Sequence, residues 1–215
     1  MKLKTPSMDD LSKIAECRYI VFPDSITSKL GKRYLKKIFE MFIISPHNFV
    51  FYIEENKKCV GYCSGSMDTL EITALGSTSS MVHYAFWEGS RSLMLKPWLI
   101  FNKSIIKQFP FIMRKIFERV KKIFCGKYYV IDKINNSIKT VWIVDIGVHP
   151  EYRRLGIGSE LLVEFDNRVK NFGILRGGLS VDKSNLGAIK TYKKHGWEIT
   201  QVRPSSFVMT KNYSN

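Results

Sequence analysis

The fold of this 215-residue chain is decided by the stretch Val148-His149-Pro150-Glu151-Tyr152-Arg153-Arg154-Leu155-Gly156-Ile157-Gly158-Ser159. It follows an apolar run over 140–148, which predicts a strand, and precedes a helical pattern over 159–171. The chain therefore turns on two glycines and enters a helix whose first amide hydrogens have no partners within the helix. Such a turn predicts an anion site, because glycines admit a close approach, the helix dipole favours negative charge, and Arg153 and Arg154 add full positive charges.

The spacing of the glycines separates this turn from two common nucleotide sites. No Gly-Lys-Ser/Thr sequence follows, as it does in nucleoside triphosphate loops, and Leu161 occupies the third glycine position of a dinucleotide fingerprint. The turn is therefore interpreted as a pyrophosphate site, but not as one for a nucleoside triphosphate or a nicotinamide dinucleotide.

Regular elements are predicted on both sides of the turn. Upstream, the patterns predict a helix ending near Cys17, a second helix over Lys29–Ile44, and a hairpin of Phe49–Glu54 with Cys59–Ser66. Downstream, they predict a short strand at Leu179–Val181, a helix ending near Lys194, and a hairpin of strands near 198–202 and 207–211. Strand, glycine turn, helix, strand and helix in this order indicate an α/β fold.

The positive charge is concentrated in one segment. The net charge is +15, and the 49 residues from Arg91 to Lys139 hold twelve Lys or Arg against two acids. The change of pattern over about 68–139 predicts a basic, largely helical insertion within a single domain covering 1–215. Such a field attracts anions, so nucleic acid, an anionic membrane surface and a phosphorylated small molecule are the partner classes that charge alone leaves open.

The cysteines and the apolar runs exclude several other classes. The four cysteines contain no CxxC pair, so neither a zinc site nor a disulfide framework is expected, and no metal is predicted. No apolar run reaches the roughly 18 residues of a membrane span, and the first residues lack a signal-peptide pattern. We therefore expect a cytoplasmic protein with reduced thiols.

The glycine turn and its flanks resemble those of the GNAT superfamily of acyl-coenzyme A dependent N-acetyltransferases. Arg153, Gly156 and Gly158 fit the phosphate-loop pattern of that family. The residues that follow in family order and spacing are Leu179-Ser180-Val181, Asn185, Ala188, Tyr192 and Gly196-Trp197. The resemblance implies a mixed, mainly antiparallel central sheet with a splayed parallel strand pair, flanked by helices.

The resemblance also implies acetyl-CoA as the acyl donor. The donor-binding residues that it implies are Ile146, Gly147, Val148, Arg153, Arg154, Leu155, Gly156, Ile157, Gly158, Ser159 and Asn185. Asn185 would hydrogen-bond the pantetheine arm, although an Asn before a helix is equally a cap with no ligand. Tyr192 matches the general acid of the family, with a core aromatic on an amphipathic helix as the alternative.

The implied reaction is direct attack by an amine on the thioester within a ternary complex. A backbone amide, expected at Val148, would stabilise the oxyanion. The two residues expected to be catalytic are Tyr192 and Asp145. Asp145 is the only acid on the central strand, where it would deprotonate the acceptor. Asp68, Glu71, His83 and a chain of waters are the alternatives for this base.

The acceptor is expected to be a small molecule with a primary amine. The segment Phe22–Gly31 resembles a GNAT subset associated with bacterial surface-polysaccharide enzymes, which implies an amino sugar carried on a nucleotide. The basic insertion would then serve as a lid over the acceptor pocket, with a solvated helix face, a homodimer contact or peripheral membrane contact as alternatives. A coenzyme A sensor without turnover and a basic membrane- or nucleic-acid-associated module also stay open, although nucleic acid is the least favoured partner.

Overall fold

The computed structural model describes residues 1–67, 86–98 and 140–213. The strands in this part of the chain are β1 (Lys2–Lys4), β2 (Asn48–Glu55), β3 (Lys58–Ser66), β4 (Val141–Val148), β5 (Arg176–Asp182), β6 (Glu198–Val202) and β7 (Ser206–Asn212). The helices are α1 (Leu11–Val21), α2 (Ile26–Lys29), α3 (Lys32–Ile44), α4 (Phe86–Leu95), α5 (Ile157–Asn171) and α6 (Leu186–Lys194). Short 3-10 turns precede α1 at Met8–Asp10 and follow β4 at Pro150–Tyr152.

The described strands form one seven-stranded sheet in the order β1-β2-β3-β4-β5-β7-β6. Every neighbouring pair is antiparallel except β4 and β5, which are parallel. The mixed, mainly antiparallel sheet flanked by helices is the predicted fold class, which is thereby confirmed.

The sheet has a hydrophobic core on each face. On one face, α5 buries Leu161, Leu162 and Phe165 with Trp197 against the strands. On the other face, α1 and α3 cover β2 and β3. The side chains of α3 that are buried there are Tyr34, Leu35, Ile38, Phe39 and Phe42, whose spacing of three, four and one is that of a helix face.

Three predicted helix boundaries were wrong. The helix predicted over 29–44 begins only at Lys32, and Lys29 is the last residue of the preceding helix α2, because Gly31 has φ of +103°, which no residue within a right-handed helix adopts. The first helix runs to Val21 rather than to Cys17, and α5 begins at Ile157 rather than at Ser159. The extension of α1 brings Val21 and Phe22 up to the central strand.

The central strand β4 changes partners along its length. Against β3, Ser66 pairs with Trp142 and Gly65 with Ile143, but Ser64 pairs with Asp145, so Val144 is an extra residue in a β-bulge. Against β5, only Val141 and Trp142 are paired. The two parallel strands then diverge, which is the splayed pair that the resemblance implies.

Most of the predicted insertion at 68–139 lies outside the described residues. Of its length the structure describes 86–98, in which α4 packs against α3, and the Cβ position of Gly89 is 3.2 Å from Cε2 of Tyr34. No helix within residues 1–67, 86–98 and 140–213 is both long enough and apolar enough to cross a bilayer.

The close packing of β3 against the core predicts the effect of a single methyl group. A Cβ at Gly65 would lie 2.3–2.8 Å from three ring carbons of Phe49, a ring that also packs against Phe165 and Phe172. Gly65→Ala should therefore lower the free energy of unfolding by about 1–3 kcal/mol, measured by urea denaturation. The control is Gly187→Ala in α6, where a Cβ meets nothing within 4 Å and stability should be unchanged or higher. Equal stability of Gly65→Ala and the parent would contradict this account of the packing.

Candidate functional site

The divergence of β4 and β5 leaves backbone groups of β4 without strand partners. The amide of His149 donates to the carbonyl of Val60 at 2.9 Å, so Gly61 and Val148 form the non-hydrogen-bonded type of antiparallel pair. The amide and carbonyl of Val148 therefore point away from β3, into the space that β5 has left. Because the direction of the backbone groups alternates along a strand, the amide and carbonyl of Ile146 point the same way as those of Val148. The backbone groups of both residues therefore face this gap.

The glycine turn lies at the end of the gap. Gly156 is the N-cap of α5 with φ of +85°, and Arg154 has φ of +64°, a left-handed conformation that is uncommon for a residue with a side chain. Gly158 is in the first turn of α5, where an added Cβ would meet only Cγ2 of Val148, at 3.8 Å. The turn therefore presents the free amides of a 15-residue helix to an open space.

A cavity of about 560 Å³ joins the gap and the turn. The predicted donor-binding residues that line it are Ile146, Gly147, Val148, Arg153, Arg154, Gly156, Gly158, Ser159 and Asn185. The side chains of Leu155 and Ile157 do not line the cavity: Leu155 is exposed, and Ile157 is buried in the core, where its Cγ2 lies 2.7 Å from a Cβ position at Gly61. The structure thus brings together nearly all of the residues that the resemblance named.

Arg153 is turned toward the end of β4. Its Nε donates to the carbonyl of Val148 at 3.2 Å, which places a guanidinium at the junction of strand and turn. Arg153 and Arg154 are both exposed, so they can move to meet an anion without first breaking a buried contact.

Tyr192 lies on α6 and lines the same cavity. Its side chain is 8% exposed, and its ring also packs near Trp197, with 6.4 Å between ring centroids. Burial, with smaller contributions from Cys63 and Asp145, raises the pKa of Tyr192 above its ordinary value of 10. The phenol is therefore protonated at neutral pH. The side chain packs in the core and also lines the cavity, so both of the alternatives raised by the sequence apply to it.

Asn185 caps α6. Its Oδ1 accepts a hydrogen bond from the amide of Ala188 at 3.2 Å, which is the helix-cap alternative raised by the sequence. The residue lines the cavity as well, and its side-chain amide nitrogen is the group not used by the cap.

Asp145 does not line the cavity, and both of its carboxylate oxygens have partners. Oδ2 accepts from Nε of Arg18 at 2.5 Å, and Oδ1 accepts from the hydroxyl of Tyr62 at 3.1 Å. A carboxylate held in this way is poorly placed to take a proton from an incoming amine. Of the alternative bases, Asp68, Glu71 and His83 lie outside the described residues.

The cavity wall contains residues that the sequence analysis did not assign to the site. Those residues are Val21, Phe22, Tyr152, Leu162, Gly187, Ala188 and Thr191. Val21 and Phe22 reach β4 because Gly147 has no side chain: a Cβ at that position would lie 2.9 Å from Cγ1 of Val21. The segment Phe22–Gly31 carries the resemblance to the surface-polysaccharide subset, but nothing in the sequence indicates that it contacts the central strand.

The polar groups along the described wall are amides, hydroxyls and guanidinium groups. None of its residues from the described ranges has a carboxylate or an imidazole. Within the same ranges, no group of three His, Cys, Asp or Glu side chains is arranged to hold a metal ion.

Comparison with known sequences finds similarity over about a third of the chain. The profile of the acetyltransferase (GNAT) family matches residues 125–197, about a third of the chain. Spermidine N(1)-acetyltransferase of Thermoplasma acidophilum is 35% identical over 66 residues, which are 31% of this chain and 41% of that protein. The matched segment therefore spans about two fifths of the length of that relative.

Comparison with solved structures extends over almost the whole chain. The PaiA N-acetyltransferase of Thermoplasma acidophilum, solved in complex with coenzyme A, aligns with a TM-score of 0.58 and 14% identity over 99% of this chain and 98% of that chain. The ribosomal-protein-S18-alanine N-acetyltransferase of Escherichia coli aligns with a TM-score of 0.57 and 12% identity over 100% and 94%. At these identities the alignments establish architecture, and the chain has the GNAT acetyltransferase fold.

Proposed function

We propose that this chain is an N-acetyltransferase that moves the acetyl group of acetyl-CoA to a primary amine by direct attack in a ternary complex. The observation that carries the proposal is the continuous cavity from the gap beside β4 to the N-terminus of α5. Its volume of about 560 Å³ lies in the range of small-molecule and cofactor sites. The family match over 125–197 supports the same assignment.

The donor is assigned to this cavity group by group. The pyrophosphate would bind the amides at Gly156 to Ser159, with Arg153 and Arg154 supplying charge. The pantetheine arm would lie beside Ile146 and Val148 and pair with the backbone groups that have lost β5 as a partner. The coenzyme would thus replace the missing part of a strand.

The chemistry needs three groups around the thioester. The amine nitrogen bonds to the carbonyl carbon while the amide of Val148 donates to the developing oxyanion. The carbon–sulfur bond then breaks, and the departing thiolate takes the phenolic proton of Tyr192, which water later restores. The proton lost by the amine goes to water or to a base beyond the described wall, since Asp145 is engaged by Arg18 and Tyr62.

The acceptor we propose is an amino sugar carried on a nucleotide. The resemblance of Phe22–Gly31 supports this class, and so does the net charge of +15, which attracts a phosphorylated acceptor and repels a polyamine. The test is a screen of amines with acetyl-CoA that includes nucleotide-linked amino sugars, spermidine and an amino-terminal peptide, with release of free thiol as the signal. If spermidine were the only amine in the screen to be acetylated, the proposed acceptor would be wrong, but the proposed reaction would still hold.

A coenzyme A sensor without turnover is the second candidate. The observation that favours it is the lack of a carboxylate or imidazole among the described wall residues. Binding of acetyl-CoA with no thiol release from any acceptor in the screen would favour the sensor. The basic membrane- or nucleic-acid-associated module rests on the segment 68–139, most of which lies outside the described residues.

Gly158→Val should remove coenzyme binding while leaving the fold intact. The added side chain would enter the space in front of the α5 amides, where it meets little protein, and it would displace the pyrophosphate. Loss of one charge-assisted hydrogen bond costs about 2 kcal/mol, which corresponds to a roughly thirtyfold weaker affinity. We therefore expect at least this loss of affinity for coenzyme A, measured by calorimetry. The control is Glu160→Val, an exposed position in the same helix turn, where affinity should hold or improve as an acid is lost. Equal affinities for Gly158→Val and the parent would refute the phosphate site.

Tyr192→Phe should keep coenzyme binding and lower turnover by about a hundredfold, because the thiolate loses its proton donor. Steady-state kinetics and calorimetry on the same preparation separate the two effects. The control is Tyr19→Phe, a partly exposed tyrosine outside the cavity, which should behave as the parent. Because the pKa of Tyr192 is raised, parental turnover should show no loss from its ionisation up to about pH 10. Parental turnover by the Phe variant would mean that another donor, or unassisted thiolate departure, operates.

A further inference from the structure

A cluster of polar side chains lies at the end of α1, next to the cavity but outside it. Arg18 donates from Nη1 to the hydroxyls of Ser25 at 3.1 Å and Ser28 at 3.2 Å, and from Nη2 to that of Thr27 at 3.2 Å. Its Nε donates to Asp145. Four of the five N–H groups of one guanidinium are therefore in use.

The cluster is enclosed by the protein. The side chain of Arg18 is 13% exposed, and Ser28 is 1% exposed. A buried guanidinium is stable only where its donors and its charge are matched, and here Asp145 matches the charge while the hydroxyls match the donors. The three hydroxyls also bond to one another, Ser25 with Thr27 at 3.2 Å and with Ser28 at 2.9 Å. The connection from α1 to α2 is thereby bound to a single side chain.

Arg18 also supports the cavity wall directly. Its Cζ lies 4.6 Å from the ring centroid of Phe22, and the amide of Phe22 donates to the carbonyl of Arg18 at 3.1 Å. Phe22 and its neighbour Val21 line the cavity, as Ile146, Val148 and Tyr192 do. The ring of Phe22 therefore rests on a guanidinium that is itself fixed to β4 through Asp145.

We propose that Arg18, anchored by Asp145, is a positioning residue that fixes Phe22 as the wall met by the acyl group, and that this wall limits the acyl chains that the cleft accepts. The inference rests on the proposed function in one respect, which is that the ligand is an acyl-coenzyme A. Phe22 is then the specificity-determining side chain. Asp145 serves the reaction through Arg18 rather than by taking a proton from the acceptor.

The experiment compares binding of coenzyme A, acetyl-CoA and butyryl-CoA by calorimetry. The parent should prefer acetyl-CoA over butyryl-CoA by at least about tenfold, the usual discrimination for added methylenes in a confined pocket. Phe22→Ala and Arg18→Met should bring the two affinities within about threefold of each other, because the wall is removed or released. Affinity of Arg18→Met for coenzyme A itself should stay within about twofold of the parent, since Arg18 is not part of the cavity wall and the phosphate site lies elsewhere.

Three further variants separate positioning from charge and from general stability. Arg18→Lys keeps a charge beside Asp145 but lacks the fork that holds Ser25, Thr27 and Ser28, so it should lose selectivity as Arg18→Met does. It also keeps the test available if Arg18→Met does not fold. The control is Lys13→Met, which breaks ion pairs of α1 with Asp10 and Glu54 at 2.9 Å, away from the cavity, and should retain parental selectivity.

Asp145→Asn separates positioning from proton transfer. We expect it to weaken the acetyl preference and to change the KM of the acceptor found by screening more than kcat. A loss of kcat of at least about a hundredfold with parental selectivity would instead make Asp145 the base and overturn the inference. Parental selectivity in Phe22→Ala or in Arg18→Lys would overturn it too, with coenzyme binding and the proposed function intact. If the parent fails to bind coenzyme A at all, the proposed function falls first and this inference falls with it.

Discussion

The divergence of β4 from β5 after Trp142 is the constraint on which the rest of the molecule depends. Two neighbouring strands inside a sheet normally satisfy each other's amides and carbonyls, and unpaired groups at such a position carry a free-energy cost. The divergence begins just after the last pair with β5, in which the ring of Trp142 covers Gly178, 2.7 Å from where a Cβ would be. In the same stretch the bulge at Val144 shifts the register of β4 with β3. The helix α5 then delivers its free amides to the open end of this gap. A ligand with a phosphate at one end and an amide-bearing arm matches both sets of unsatisfied groups at once.

Local patterns in the sequence were sufficient for most of the elements. The glycine turn was predicted from Gly156 and Gly158, and its position at the start of α5 follows from residues that are adjacent in the chain. The hairpin of β2 and β3 and the buried face of α3 also follow from short-range periodicity. The break at Gly31 was missed because an amphipathic pattern continues through it, and only the backbone dihedral shows that the helix stops there.

The site was less predictable, because its polar contacts join distant parts of the chain. Arg18 and Asp145 are 127 residues apart, and neither residue belongs to a motif that would indicate the other. An acid on the central strand was a reasonable candidate for a base, yet both oxygens of this acid accept hydrogen bonds, one from the guanidinium of Arg18 and one from the hydroxyl of Tyr62. Residue type alone does not indicate such partners, because they lie far away in the chain. Asn185 illustrates the same point within a single residue, since its side-chain oxygen caps α6 while the residue also lines the cavity.

The pairing of Ser66 with Trp142 has a kinetic consequence. These two residues are neighbours in the sheet, yet about 75 residues separate them, and closing so long a segment costs roughly 2 kcal/mol more in chain entropy than closing a five-residue hairpin. The strands β1 to β3 with α1 and α3 can associate through local contacts, and so can β5 to β7 with α6. Registering β4 against β3 is the long-range step, and contacts of this kind slow folding. The cavity, which needs β4, α1 and α5 together, is therefore expected to be among the last parts of the molecule to form.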